Sequence, residues 1–328
     1  MKLYLKITSV IGILLVVTVL LLAVHALIPR KLNEVIIDIP RGASARAIAA
    51  QLYDNNIIPN KLTFYFYVKL TNIEKELSYG KYLFSGKQSI PDIIRTLHEG
   101  NVVLRKATIP EGLTIRKTAK LLSQKGFIDY EKFVALSNDS IFVKKLTGFS
   151  IPSLEGFLFP ETYHLPYEAS EQYIIKALVE NFFKQTQDLD FAPTNNLNFY
   201  EIIILASIVE KEAKFKEELG TIASVYLNRI KYDYKLQADP TIAYALEQKG
   251  KIRRKIYYRD LKIESPYNTY MYMGLPPTPI CSPSASAIQA VLNPEETDFF
   301  FFFANGNGYH EFNQTYQQHI NQQNSLRK

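Results

Sequence analysis

The sequence predicts an α+β protein with one N-terminal transmembrane helix, small β-α modules and a mixed, helix-rich C-terminal domain. Three observations predict it: an uncharged apolar run over 7–28, a strand-turn-helix pattern that occurs twice, and helical patterns that dominate after residue 199. A chain of 328 residues is long enough for two or three domains. The expected boundaries are a cytoplasmic stub at 1–6, a transmembrane helix at 7–28, a β-α domain at 33–105, a second repeat unit with a helical connector at 106–190, and a C-terminal domain at 195–328.

The N-terminal run is 22 residues long and contains no Asp, Glu, Lys or Arg, which suits the thickness of a bilayer core. Lys2 and Lys6 precede it, and Arg30 and Lys31 follow it, so flanking charge alone does not set its orientation. A cleaved signal peptide is the alternative, but the run is long for one and no clear A-x-A site follows it. We expect an uncleaved anchor.

A repeat follows the anchor. Residues 39–58 and 109–128 align with seven identities, including the Pro and Gly of a Pro-x-Gly turn. Each copy predicts a short strand, the turn, and a helix capped by Ser44 or Thr114. Common strand-turn-helix patterning could produce such a match, but identities in register favour a duplication.

The remaining elements follow from periodicity and turn residues. Segment 131–184 is mostly helical in pattern, with an interruption at 153–163, and the polar stretch 185–198 with Pro193 predicts a linker. The further predicted elements are helices over 199–212, about 216–232, from Asp239 onward and over 284–292, a proline-rich loop at 276–279, and a strand over 299–304.

Composition excludes several classes of protein. Hydrophobic residues make up 47% of the chain and charged residues 21%, as in a folded protein. The net charge of +6 suits an anionic surface, membrane or polymer, although a merely solvated basic surface explains it equally well; no nucleic-acid-binding motif is present. One cysteine, Cys281, excludes an internal disulfide and a cysteine-based zinc site, and no histidine pair has HExxH spacing. Phosphate- and dinucleotide-binding glycine motifs are also missing, so we expect no metal and no cofactor.

The stretch EIIILASIVEKE at 201–212 is the strongest functional signal, because a nearly continuous apolar run ends in two carboxylates. Burial disfavours the ionised carboxylate, raises its pKa and so produces a proton donor near neutral pH. On a helix, Glu210 shares a face with the small Ala206 and Ser207, which predicts a hollow for a substrate oxygen, whereas bulky residues crowd Glu212. The alternative is that both acids are solvated charges at a fraying helix end.

Ordered motifs then identify a family. ILASIVEKEA at 204–213, LQADPTIAYAL at 236–246, SPYNTY at 265–270, GLPPTPI at 274–280 and GYHEF at 308–312 resemble the MltG (YceG-like) family of endolytic murein transglycosylases. The IPxG units, SLEGFLFPETY at 153–163 and the single N-terminal span resemble it too.

The resemblance implies a LysM-like membrane-proximal domain and a catalytic domain outside the cytoplasmic (inner) membrane, with the N-terminus inside. It implies cleavage of peptidoglycan between N-acetylmuramic acid and N-acetylglucosamine with a 1,6-anhydro product, and release of nascent strands by a terminase that acts near peptidoglycan synthases. The expected partners are therefore glycan strands, the membrane and those synthases, and not nucleic acid.

The resemblance also implies site residues. Carried over onto IVEKEA, the catalytic glutamate is Glu210, and an intramolecular nucleophile makes a second carboxylate unnecessary. Glu212 is expected either to tune Glu210 by like-charge repulsion or to anchor a basic side chain. Asp239 is expected to bind substrate or to cap its helix. His310 is expected to orient the site or to make a structural hydrogen bond to its turn. The remaining expectations are sugar-binding amides at Gln237 and Asn268, stacking rings at Tyr267 and Tyr270, and bracing carboxylates at Glu155 and Glu161.

The chain departs from the family pattern at Thr278, Ser282 and Ser284, where members usually have Gly, Asn and Gly. These changes put the backbone turns of one loop in doubt, because a residue with a side chain tolerates positive φ poorly. Two other functions stay open on the sequence: a catalytically silent wall-binding scaffold for synthases, and a muramidase that hydrolyses the same bond.

Overall fold

The computed structural model describes residues 26–191, 196–253 and 255–326, together with positions 10, 11, 13, 14, 17, 21 and 24. In this part of the chain the helices are accompanied by three two-stranded sheets, as an α+β class requires. The chain divides into two compact units. The first comprises the residues up to Lys106 and His164–Glu168, and the second comprises Ala107–Tyr163 and Ala169–Lys328.

Most of the predicted transmembrane helix at 7–28 and all of the stub at 1–6 lie outside the described residues, as does part of the predicted linker, at 192–195. Within the part that the structure describes, none of the helices combines the length and the apolar character that crossing a membrane requires.

The first unit is built on an antiparallel pair of strands, β1 (Arg30–Ile39) and β2 (Gly80–Gln88). Alternate side chains of β2 face inward, so Tyr82 and Phe84 are completely buried, and each such burial contributes about 1.5–3 kcal/mol. After β1, the described residues of this unit form three helices: α1 (Ala45–Asp54), α2 (Lys61–Thr71) and α3 (Ile90–His98).

The two repeat copies adopt the same local structure, which confirms their prediction. Ser44 caps α1 by accepting a hydrogen bond from Ala47 N, and Thr114 caps α4 (Ile115–Gln124) by accepting one from Lys117 N. Gly42 and Gly112 occupy the two turns with φ of +78° and +70°, a conformation that costs other residues energy. Strand β3 (Leu104–Thr108) precedes the second copy and pairs with β4 (Thr162–Pro166).

The rest of the second unit is mainly helical. The segment 131–184 divides into α5 (Tyr130–Ser137), α6 (Ser140–Thr147) and α7 (Glu171–Thr186), and the buried loop that contains Leu154 and Phe157 lies between α6 and α7. The following elements are α8 (Phe199–Glu212), α9 (Leu219–Lys231), α10 (Asp239–Gln248), α11 (Ala285–Leu292), the hairpin of β5 (Phe301–Ala304) and β6 (His310–Asn313), and α12 (Tyr316–Leu326), with short 3-10 turns at Lys216–Glu218 and Asp260–Lys262.

Candidate active site

Helix α8 runs through the core of the second unit, and its last turn carries two carboxylates at the edge of this core. A capping box between Asn198 and Glu201 starts the helix, and every residue from 202 to 209 is buried, because α9, α10 and α11 all pack against it. The last turn leaves this core, and the helix ends at Glu212 because the backbone of Ala213 is extended. Residues two apart differ by about 200° around a helix, so Glu210 and Glu212 face different surroundings.

Glu210 is bound to the start of α11. Its Oε2 accepts hydrogen bonds from the backbone N–H of Ser284 at 2.9 Å and from the Ser284 hydroxyl at 2.6 Å. Burial raises the pKa of Glu210, and the two bonds from Ser284 oppose that rise. The substituted loop residue Ser284 is also the N-cap of α11, where it accepts a bond from Ala287 N. These contacts give Glu210 a structural role, because its carboxylate holds the start of α11.

The predicted hollow beside Ala206 and Ser207 does not exist. Both residues are completely buried, and the hydroxyl of Ser207 accepts a hydrogen bond from Ile280 N at 2.9 Å while it donates one to Ile204 O. The thiol of Cys281 bonds to Ser207 O. The loop 280–281 therefore occupies the space that the two small residues leave.

Glu212, in contrast, lines a cavity of about 690 Å³ that Glu210 does not line. Its Oε1 accepts a hydrogen bond of 2.6 Å from the hydroxyl of the buried Tyr226. Burial raises the pKa of Glu212 to about 7; the negative charge of Asp239 adds to the rise, while the bond from Tyr226 and the charge of Arg229 oppose it. The carboxyl group is therefore partly protonated at neutral pH.

The cavity also collects four other residues that the sequence singled out. With Glu212 and Tyr226, its walls comprise Arg229, Gln237, Asp239, Lys255, Ile256, Tyr257, Tyr258, Leu261, Tyr270, Phe302, Phe303, Ala304, His310, His319 and Gln323.

Asp239 does not cap its helix, so that expectation is wrong. Ala238 is the N-cap of α10, no side chain makes a cap bond there, and Asp239 instead accepts a hydrogen bond of 2.6 Å from the Tyr270 hydroxyl. Gln237 precedes them with φ of +50°, a left-handed conformation that costs about 1–3 kcal/mol at such a residue. The backbone N–H of Gln237 is bound by Thr269 O at 3.1 Å, which holds the strained residue at the cavity wall.

His310 faces the cavity from β6 and is held by the carboxylate of Glu218. One Glu218 oxygen accepts the His310 backbone N–H at 2.7 Å, and the other lies 3.0 Å from Nδ1. The ring packs edge-on against Phe302. With Nδ1 directed at a carboxylate, Nε2 is the nitrogen left for a ligand.

Asn268 is not a sugar ligand, and this expectation is also wrong. The residue is completely buried, and its amide nitrogen donates to Leu261 O and Ile263 O at 2.9 and 2.7 Å. Its oxygen accepts from the backbone N–H groups of the two residues at 270 and 271. The side chain therefore closes a turn, and this turn places Tyr270.

Tyr267 and Glu155 lie on a separate cavity of about 370 Å³. The Tyr267 hydroxyl is 2.8 Å from that of Thr278, and its ring packs against Tyr244. Glu155 accepts bonds from Ile115 N and from the Tyr244 hydroxyl, at 3.0 and 3.1 Å, and burial raises its pKa to about 8. Glu155 thus ties α4 to α10 within the second unit. The side chain of Glu161 accepts only a local bond, from Thr162 N.

Sequence reasoning missed Tyr226 and Arg229, which form the floor of the site. Arg229 is buried, donates to Phe300 O at 2.7 Å and to Leu236 O, and so fixes both β5 and the approach to Gln237. A signal for them was present: a tyrosine and an arginine three residues apart, and so on one face of a helix, in the predicted helix over about 216–232.

The comparisons with known proteins agree with the motifs. The model of the YceG-like family matches residues 37–325, so the chain belongs to this family. It is 32% identical over 303 residues to the endolytic murein transglycosylase of Bacillus subtilis (strain 168), covering 86% of this chain and 82% of that protein. It is 30% identical to the protein of the same name from Streptococcus pneumoniae serotype 2, of which it spans only 56%.

A crystal structure of a Listeria monocytogenes protein described as yceG-like superposes on the chain with a TM-score of 0.59 and 31% sequence identity. The match covers 89% of this chain and 100% of that one.

Proposed function

We propose that the chain is a lytic transglycosylase that cleaves peptidoglycan strands between N-acetylmuramic acid and N-acetylglucosamine, with Glu212 in place of Glu210 as its catalytic acid. The observation that carries this proposal is the position of the Glu212 carboxyl group, which is desolvated and lies on a cavity wall with Gln237, Asp239 and His310. The relatives named endolytic murein transglycosylase support the reaction class.

One carboxyl group is enough for this reaction. Protonated Glu212 donates its proton to the glycosidic oxygen, and the bond from that oxygen to C1 of muramic acid breaks. The resulting carboxylate accepts the proton of the muramic acid C6 hydroxyl, whose oxygen bonds to C1 and closes the 1,6-anhydro ring. Because this nucleophile belongs to the substrate, water needs no activation. The Tyr226 hydroxyl stabilises the carboxylate between the two steps, since it donates to Oε1.

The surrounding side chains suit a sugar polymer. The exposed amide of Gln237 can donate to and accept from hydroxyl and acetamido groups, and Nε2 of His310 adds another polar contact. Tyr257 and Tyr258 add aromatic surface to the cavity lining, and 49% and 89% of their areas are exposed. The cavity of about 690 Å³, lined by both polar and aromatic side chains, suits the binding of sugar units.

A muramidase is the second candidate function, and Asp239 is the observation that favours it. This carboxylate shares the cavity with Glu212 and lies close enough to raise its pKa. A hydrolase uses a second carboxylate either to activate water or to attack the sugar. Asp239 in that role would yield ordinary reducing ends instead of anhydro ends.

Mass spectrometry of digested glycan strands tests both functions. We expect anhydro ends from the wild type and from Glu210→Gln, and no new ends from Glu212→Gln. Reducing ends from the wild type would instead identify hydrolysis. If the folded wild type cleaved nothing, the remaining function would be that of a catalytically silent scaffold. A fully active Glu212→Gln variant would refute the assignment of Glu212 as the catalytic acid.

We further propose that residues 7–28 anchor the chain in the cytoplasmic membrane as a single span, with the N-terminus inside and the catalytic unit outside. The uncharged run supports this, and so does the start of β1 at Arg30, directly after it. The small β-α fold of 33–105 supports a LysM-like role in binding the wall, and family membership supports termination of nascent strands beside synthases. Protease digestion of intact spheroplasts tests the topology: cleavage of the catalytic unit is expected, and its complete protection would refute it.

A further inference from the structure

Lys255 is a cation on the wall of the cavity that contains Glu212, and the reaction steps above do not use it. It lies beside Ile256, Tyr257 and Tyr258, which line the same cavity. The side chain is exposed, so its place on this wall is not imposed by packing.

The wall itself is fixed by a buried carboxylate. Asp260 accepts a hydrogen bond of 3.0 Å from Tyr257 N, and its own N–H donates to Tyr257 O at 2.8 Å. Arg253 adds an ion pair at 3.9 Å to the same carboxylate. The backbone that carries Lys255 is therefore held on both sides of the residue.

Three neighbouring cations in this segment are already engaged. Lys249 donates to Glu264 O at 2.7 Å, Arg253 pairs with Asp260, and the guanidinium group of Arg259 lies 5.4 Å from the centre of the Tyr257 ring. Lys255 makes no hydrogen bond or ion pair with any described residue. Its ammonium group is thus free to bind a ligand.

The other charged residues that line the cavity are less suited than Lys255 to bind an anionic group of a ligand. Arg229 is buried, and its Nε and Nη1 donate to two backbone carbonyl groups. Asp239 is negative, and His310 is directed at Glu218. Among the described lining residues, Lys255 is therefore the exposed cation that makes no hydrogen bond or ion pair. A ligand that fills this cavity gains most from a negative group on the side of Lys255.

We propose that Lys255 binds a carboxylate on the side arm of muramic acid, and that this contact selects muramic acid for the subsite next to the cleaved bond. The inference rests on the proposed function. Muramic acid differs from N-acetylglucosamine by the lactyl ether on O3, which ends in a carboxylate where the stem peptide is absent. Where the peptide is present, its acidic residues and C-terminus carry the carboxylates. Both sources offer the same chemistry to an ammonium group.

Three substrates separate the sources: peptide-free strands, peptide-bearing strands, and peptide-free strands whose carboxylates have been converted to methylamides. Steady-state kinetics would compare the wild type with Lys255→Met and with Lys251→Met, an exposed cation of the same segment that does not line the cavity. Because Lys255 is exposed, its substitution should leave the melting temperature unchanged, which the same preparations would verify.

We expect Lys255→Met to lower kcat/KM by roughly five- to tenfold on a charged strand, mainly through KM, and to match the wild type on the neutralised strand. A loss on peptide-free strands identifies the lactyl carboxylate, and a loss only on peptide-bearing strands identifies the peptide. Lys251→Met should behave as the wild type throughout.

The inference about Lys255 would be wrong, and the proposed function would stand, if Lys255→Met and the wild type had equal kcat/KM on both charged strands. The same conclusion would follow if Lys255→Met lost as much kcat/KM on the neutralised strand as on the charged strands. If the wild type cleaves none of the three substrates, the proposed function fails and the inference fails with it. Anhydro ends from the wild type on the neutralised strand therefore distinguish the two failures.

Discussion

Glu210 and Glu212 lie two residues apart on the last turn of α8, yet they belong to different parts of the molecule. Glu210 accepts two hydrogen bonds from Ser284 and fastens α11. Glu212 meets the hydroxyl of Tyr226 and lines the large cavity. The same residue type, on the same helix and with a raised pKa in both cases, therefore serves packing on one side and chemistry on the other.

The difference teaches that a raised pKa does not by itself identify a catalytic acid. Burial is the largest cause of the shift for both carboxyl groups. What separates them is access: both protein donors to Glu210 come from the cap of a helix, whereas Glu212 opens onto space that a substrate can enter. Burial raises the pKa of both carboxyl groups, so the access of each group to the cavity distinguishes the catalytic acid from the structural one.

The largest expected effect comes from removing the acid. Glu212→Gln keeps an acceptor for Tyr226 but carries no transferable proton, so kcat should fall by about 10²- to 10⁴-fold. The measurement is the rate of anhydro-end formation on peptidoglycan strands. Glu210→Gln is the matched control, because the same chemical change two residues away should reduce the rate by less than about tenfold.

A second prediction concerns stability and uses the same substitution. The folded-state pKa of Glu212 is about 7, above its usual 4.5, so the folded state holds the proton more tightly than the unfolded state. The resulting stability is fully present below pH 4.5 and is lost as the pH rises through 7, up to about 3 kcal/mol.

Glutamine does not titrate, so Glu212→Gln should gain stability over the wild type as the pH rises from 5 to 8. Urea unfolding at both pH values measures the gain, which we expect to be about 1–3 kcal/mol at pH 8 and small at pH 5. An equal difference at both values would contradict the raised pKa.

The sequence predicted the structural features that depend on local interactions and missed those that depend on long-range contacts. The bounds of α8 were predicted correctly, and the helix predicted over 284–292 is α11 with its start one residue later, because capping residues and apolar periodicity act within a few residues. The turn and helix of both repeat copies followed for the same reason. The sequence motifs also gave the family, and with it five of the residues that line the site: Glu212, Gln237, Asp239, Tyr270 and His310.

The choice between the two glutamates depends on contacts that no local pattern contains. Ile280 and Cys281 fill the space beside Ser207 from 73 and 74 residues away. Tyr226 reaches Glu212 from another helix. Asn268 was misassigned because an amide that binds backbone carbonyls and an amide that binds a sugar look identical in sequence. Such contacts are decided by tertiary packing.

A third prediction sharpens the comparison through Tyr226. Its hydrogen bond favours the ionised form of Glu212, so Tyr226→Phe should raise the pKa of that carboxyl group further. The alkaline limb of the kcat/KM profile, which for the wild type should lie near pH 7, should then move to higher pH, with less than about a tenfold change in the maximum. A profile recorded from pH 5 to 9 measures the shift. The Glu210→Gln variant should leave the limb in place, and a limb that moved to lower pH in Tyr226→Phe would contradict the contact.

The smallest expected effect tests the structural side of the pair. Glu210→Ala removes the acceptor of two hydrogen bonds, and Ser284→Ala removes one of their donors together with the cap of α11, so each should cost about 1–2 kcal/mol of unfolding free energy. Because both variants break the same hydroxyl-carboxylate bond, the double variant should cost less than the sum of the two. Strict additivity would mean that Glu210 and Ser284 act independently. A coupling in stability, with anhydro-end formation retained in all three variants, would place Glu210 in the framework and leave Glu212 as the residue that faces the substrate.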